Sequence, residues 1–254
     1  MIEIKDLSFA YGKRQILNNI SAKFETGKFY AVIGTNGSGK TTLINNLSRL
    51  TAPTSGNILI DGIDYADIAR KEFAKKVSLL PQGRNIPNMS VFDLVCAGRY
   101  PYLDLSRKLS DEDMEIVRKS MEITDTEGFA EKNLKRLSGG ERQRVYLAML
   151  VAQDTPYILL DEPISHLDIA SEFKILNLLS SLKEKGKCII TVLHNLSLAL
   201  KFADEICVVN KGKIKMTGTP KEIVDSDIFE KVFGVRCISV NSGTTNGVIF
   251  EELK

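Results

Sequence analysis

Phe29-Tyr30-Ala31-Val32-Ile33-Gly34-Thr35-Asn36-Gly37-Ser38-Gly39-Lys40-Thr41-Thr42 is the stretch that decides the fold. Five apolar residues in a row, ending in glycine, predict a short strand buried on both faces. The next residues fit G-x-x-x-x-G-K-[ST], and Thr41 to Leu50 has helical spacing at Leu43, Leu47 and Leu50. Strand, glycine-rich loop and helix in this order form a cradle for phosphate. Glycines at 34, 37 and 39 let the backbone wrap closely, so N–H groups from Gly34 through Asn36 and Ser38 turn inward. The positive end of the helix adds to the attraction. Lys40 is expected on the β- and γ-phosphates of a nucleotide, the Thr41 hydroxyl on Mg²⁺ and Thr42 on the α-phosphate.

Upstream of this cradle, IEIKDLSFAYG alternates, and Ile16 to Glu25 is rich in β-branched and aromatic residues, so both read as strands. Downstream, Ser55-Gly56 and NILIDG predict a turn and a strand. From about 85 to 150 the pattern becomes helical and charge-rich, with Ser110 as an N-cap and Asp113 three residues on. Strand-like runs return at Tyr157 to Leu160, Cys188 to Leu193 and Glu205 to Val209. Strands alternating with helices predict an α/β fold around a mainly parallel sheet covered on both faces. The helical stretch reads as an inserted subdomain of one domain spanning 1–254, and the last residues as a hairpin, about 235–252, turning around Asn241 to Asn246.

Tyr157-Ile158-Leu159-Leu160-Asp161-Glu162-Pro163 is an apolar strand ending in two acids. The first, Asp161, suits a metal. Glu162, on an extended chain, would face the opposite side and polarise a water. A carboxylate beside bound phosphate also has reason to hold its proton, which suits a general base. Leu137-Ser138-Gly139-Gly140-Glu141-Arg142-Gln143-Arg144 opens another helix. Ser138 and Glu141 make a capping box, which leaves the glycine pair unexplained. A serine hydroxyl with unhindered N–H groups at Gly139 and Gly140 would be a second anion site.

Two phosphate sites in this order, the second about twenty residues before the acids, resemble the ABC ATPase family, whose signature is LSGGERQR. The resemblance covers about residues 2 to 235. It implies a P-loop NTPase core with an N-terminal antiparallel β-subdomain and a helical subdomain, using ATP and Mg²⁺. It also implies roles for further residues. Gln82 in VSLLPQ resembles the glutamine that senses Mg²⁺ and the γ-phosphate, and His194 after CIITVL the switch histidine. Asp168 in Ser165-His166-Leu167-Asp168 resembles a residue that crosses to a partner subunit, and His166 reads as a bystander. Tyr11 resembles the aromatic that stacks on adenine. Glu162, His194 and Gln82 would then carry catalysis, with Thr41, Gln82 and Asp161 on the metal. Thr35 and Ile164 depart from the usual pattern, and neither removes a ligand group.

One set of motifs per chain implies a head-to-tail homodimer. Gly98-Arg99-Tyr100-Pro101, LHNLSLALKFAD and TGTPKEIVDSDIFEKVFGV are similar to ATPases of iron-siderophore, haem and cobalamin importers. That implies a membrane permease as partner and an external binding protein indirectly. A soluble ATPase of iron–sulfur cluster assembly is the alternative that the core motifs leave open. Residues 85 to 102 carry Ile86, Met89, Phe92, Tyr100 and Tyr102, which if exposed would form an apolar patch for a permease to cover; Phe92 and Leu94 read as ordinary core.

Composition narrows the classes. The net charge of +2, from 34 basic and 32 acidic residues, gives no reason to expect nucleic acid as a partner. No run approaches the roughly 18 apolar residues of a membrane span, and the N-terminus lacks the apolar core of a secretory signal. Four cysteines without C-x-x-C pairing read as buried thiols in a reducing compartment. The expected location is cytoplasmic, peripheral on the inner face of the cell membrane.

Overall fold

The computed structural model describes residues 1–83, 85–103, 108–241 and 246–253. The expected turn around Asn241 to Asn246 lies largely outside them. The chain opens with β1 (Ile2–Tyr11), β2 (Arg14–Phe24), β3 (Phe29–Ile33), α1 (Lys40–Leu47), β4 (Ser55–Ile60) and β5 (Ile63–Asp64). It continues with α2 (Arg70–Lys76), β6 (Val77–Leu80), α3 (Val91–Ala97), α4 (Asp111–Ile123), α5 (Gly139–Gln153) and β7 (Tyr157–Asp161). Then come α6 (Ile169–Glu184), β8 (Cys188–Val192), α7 (Leu196–Phe202), β9 (Glu205–Asn210) and β10 (Lys213–Gly218). The last elements are α8 (Pro220–Asp225), α9 (Ile228–Phe233), β11 (Val235–Asn241) and β12 (Asn246–Glu252).

The central sheet has the order β10-β9-β3-β8-β7-β6. Its strands run parallel from β9 to β6, and β10 pairs antiparallel at one edge. Alternation explains why both faces of these short apolar strands are buried. Phe29, Ala31, Ile33, Ile158 and Leu160 pack on one face with α3, α5 and α6. Tyr30, Val32, Tyr157 and Leu159 pack on the other with α1 and the four-stranded antiparallel sheet β2-β1-β4-β5. The expected α/β core with an N-terminal antiparallel sheet is therefore what these strands form, while β11 and β12 pair with each other.

Local differences from the sequence expectations have identifiable causes. α1 stops at Leu47, because Arg49 adopts a left-handed φ of 60°. Leu50, expected on the helix, is exposed beyond it. Cys96, Cys188 and Cys207 are buried, but Cys237 on the peripheral hairpin is only partly so. The supposed apolar patch also shrinks. Ile86, Met89 and Phe92 pack partly buried against the core, Leu94 is buried, and of the named residues Tyr100 alone is exposed, at 62%.

Candidate nucleotide site

The parallel strands carry the site to their carboxyl edge, where a doubly wound sheet places ligands. Register does the alignment. Val32 is level with Val192, Asp161 with Val192, and Leu80 with Leu160. Gly34, Gln82, Glu162 and His194 each follow one of these aligned residues by one or two positions, so four distant segments end at one rim. There they enclose a cleft of about 730 Å³, lined by residues 36 to 42, Gln82, Glu162, Ser165, His166 and His194, with Arg14 and Ile16 on the β2 side.

Gly34 is dictated by space. A Cβ there would lie 2.0 Å from the Val209 carbonyl oxygen. Gly37 and Gly39 have φ of 73° and 107°, a region that side chains other than glycine's rarely adopt. Lys40 is buried and donates to the Gly34 and Thr35 carbonyl oxygens at 2.9 and 3.0 Å. Burial lowers its pKa, opposed by the charges of Glu162 and Asp161. Its ammonium is thus folded back onto the loop, within reach of anything the loop holds.

Asp161 ends β7, and its Oδ1 accepts from the Thr41 hydroxyl at 3.3 Å, while its Oδ2 is buried with no partner. Burial pushes this carboxyl up, the neighbouring Glu162 charge adds to the rise, and the Thr41 hydrogen bond opposes it. Glu162 departs from one expectation. It is not extended, because its φ is 53° and the strand has ended. Burial raises its pKa, but hydrogen bonds from His194 and Ser165 outweigh that and leave it lowered. His194 Nε2 and Glu162 Oε1 lie 2.5 Å apart, and the Ser165 hydroxyl donates to Oε2 at 3.0 Å. The left-handed turn swings the carboxylate onto these two residues instead of leaving it opposite Asp161.

Ser138, Gly139 and Gly140 are not part of this cleft. Ser138 caps α5: its N–H donates to Glu141 Oε2 at 2.8 Å, and its Oγ accepts from the Glu141 N–H at 3.3 Å. A Cβ on Gly139 would meet nothing, and one on Gly140 would come only within 3.5 Å of Ser171, so the space before the helix is open. Gly139 lines a neighbouring cleft of about 590 Å³ that shares Gln82, Glu162, Ser165 and His166 with the first. Asp168 caps α6, accepting from the Ser171 N–H at 2.9 Å and hydroxyl at 2.7 Å. Tyr11 sits 54% exposed at the β1 end, edge-on to Phe9, and is absent from the cleft lining.

Four lining residues were not singled out for this role by the sequence. Ser165 and His166 lie inside the SHLD run: Ser165 has no role there by resemblance, and His166, which reads as a bystander, lines the cleft instead. Arg14 and Ile16 carry no motif at all; only the packing of β2 against the loop brings them in.

The ABC transporter family model matches residues 17–165. The ferric enterobactin transport ATP-binding protein FepC of Escherichia coli (strain K12) is 40% identical over 93% of this chain and 88% of its own length. The petrobactin import ATP-binding protein FpuD of Bacillus anthracis is 39% identical over 93% of this chain and 87% of its own. A dimeric structure of MJ0796, a bacterial ABC transporter cassette, superposes with a TM-score of 0.77 at 28% identity, covering 87% of this chain and 99% of that one. With a phosphate loop, an acidic strand end and a histidine gathered at one sheet edge, and with the family model spanning more than half of its residues, the chain belongs to the ABC transporter family and is one of its ATPases.

Proposed function

We propose that this chain is the ATP-hydrolysing subunit of an importer for an iron-siderophore-type ligand, or haem or cobalamin. It would work as a head-to-tail homodimer on a membrane permease supplied by an external binding protein. The observation that carries the ATPase part is the single cleft holding Lys40, Thr41, Gln82, Glu162 and His194, with Asp161 beneath it. The importer part rests on the resemblance of the Gly98–Pro101 segment and on relatives named for ferric enterobactin transport and petrobactin import. Nothing comparable favours an iron–sulfur assembly role. No described helix is long and apolar enough to cross a membrane, which is consistent with a separate permease.

The residues divide the work. N–H groups of residues 34 to 39 hold the phosphates, and Lys40 exchanges its two carbonyl partners for β- and γ-oxygens. Asp161 and the Thr41 hydroxyl, with Gln82 on the same cleft, would hold Mg²⁺: a buried carboxylate oxygen without a partner, beside a hydroxyl, is a hard-oxygen donor set that fits it. When bound, Mg²⁺ supplies positive charge to the β- and γ-oxygens. Glu162 orients the attacking water. The contact with His194 favours the ionised carboxylate, and a γ-phosphate would give His194 a competing partner, freeing Glu162 to accept a proton. The open α5 end, with Ser138, Gly139 and Gly140 outside their own chain's cleft, is suited to a second copy's γ-phosphate.

The test is to isolate the tagged chain from gently solubilised membranes of its own cell. A polytopic permease in equal amount is the expected companion, and its binding protein can then be screened against siderophores, haem and cobalamin. A purely soluble companion would overturn the transport role and leave the ATPase chemistry standing.

A further inference from the structure

Arg14 is the one cleft residue whose charge has no evident task. It opens β2 directly across from Tyr11, and its side chain is exposed at the cleft. Among the described residues it forms no ion pair and no side-chain hydrogen bond. Its place on the wall sets it apart: Lys13, next to it, likewise forms no ion pair among the described residues but does not line the cleft. A guanidinium left alone on a phosphate-binding wall is a cation kept for an anion that arrives later.

Its position along the cleft specifies which part of that anion. Gln82, Glu162, Ser165 and His166 line both this cleft and its neighbour, so they mark the end where the two adjoin. Arg14 and Ile16 line only the first. Ile16 also backs directly onto the loop: a Cβ on Gly39 would come within 3.3 Å of the Ile16 carbonyl oxygen and 2.8 Å of Leu17 Cδ2. β2 therefore flanks the loop where it enters α1, beside Thr42, away from the water-activating pair Glu162 and His194. We propose that Arg14 is a nucleotide-binding residue that contacts the α-phosphate of the bound nucleotide. This rests on the phosphate-loop reading and deepens it. A contact there is made equally by ATP and ADP, so it contributes to affinity and not to the chemical step.

Equilibrium binding and steady-state hydrolysis with Arg14→Ala test it. The expected result is about tenfold weaker binding of both ATP and ADP, a KM raised by the same factor, and kcat within about twofold. Arg14→Lys should recover part of the loss, and Arg14→Gln, which keeps length but not charge, little. Because the side chain has no partner to lose, the thermal midpoint should stay put. Three results would overturn the proposal: unchanged affinity for both nucleotides, a loss confined to ATP, or a fall in kcat with KM unmoved. Lys40→Ala, run alongside, separates the two levels. If that variant binds nucleotide like the parent chain, the phosphate-loop reading fails; if it loses binding while Arg14→Ala does not, only the Arg14 assignment fails.

Discussion

Asp161 and Glu162 are neighbours whose carboxyls are driven in opposite directions, one by burial and one by its partners. Asp161 has a folded pKa above its ordinary 3.8, so the fold prefers it protonated. Stability therefore falls as pH rises through the interval between those two values, and the cost is fully present above the folded one. Asp161→Asn removes it. Without Mg²⁺, the variant's thermal midpoint at pH 7 should lie about 2 °C above the parent's, and its Mg-ATP hydrolysis about a hundredfold or more below. A midpoint unchanged or lowered would show that the buried charge is already compensated. Glu162 has the opposite sign. Its folded pKa lies below the ordinary 4.5, so its contribution is present above that value and lost as pH falls through the folded one. Glu162→Gln is expected to bind Mg-ATP normally and to hydrolyse it at least about a hundredfold more slowly in a phosphate-release assay. Parent-like turnover would remove Glu162 from the mechanism.

Between elements, the Gly98–Tyr102 segment has a structural task alongside any partner it meets. Gly98 packs so tightly on α5 that a Cβ would lie 2.4 Å from the Met149 carbonyl oxygen. Arg99 donates from Nε to Asp113 of α4 at 2.8 Å and from Nη1 to the Ala152 carbonyl of α5 at 2.8 Å. Its guanidinium also lies 3.8 Å from the centre of the Tyr102 ring, and the Tyr102 hydroxyl donates to the Gln153 carbonyl at 2.9 Å. The pair is nearly dry, with Arg99 and Asp113 side chains 7% and 13% exposed. Removing one partner of such a pair strands the other charge. Arg99→Ala should lower unfolding free energy by about 3 kcal/mol, read as a lower urea midpoint with unchanged slope. Arg99 and Asp113 replaced together should cost less than Arg99 alone. Tyr100, 62% exposed, is the side chain of this segment that the proposed permease would meet.

At the scale of the whole molecule, the proposed head-to-tail pairing makes the phosphate cleft and the α5 end parts of two different half-sites. Ser138→Arg places a bulky cation at the exposed start of α5. That variant should still bind ATP in its own cleft. It should fail to dimerise with Mg-ATP in sedimentation analysis, whereas Glu162→Gln, unable to remove the γ-phosphate, should accumulate as dimer. Dimers of Ser138→Arg as stable as those of Glu162→Gln would exclude a role for the α5 end in association. The cap itself costs about 1 kcal/mol when lost, too little to unfold α5 and mimic the effect.

Much of this arrangement was legible in the chain because it is local. Phe29–Ile33 had to be a buried strand, the glycines after it a cradle, and Ser138 a helix cap, since each depends on neighbours within a few residues. The sequence also determined the acidic pair at the β7 end, whose apolar run leaves only one place for charge. What the tertiary structure alone decided depends on contacts between distant segments. The left-handed turn at Glu162 hands its carboxylate to His194 and Ser165, which no strand periodicity could announce. Arg14 joins the cleft only because β2 packs on Gly39, and Tyr11, legible by resemblance, lies outside the lining. Arg99 is fixed by α4 and α5 together. Pattern specifies which residues face inward along one element, but the register between elements, set by packing across the sheet, specifies which of them meet.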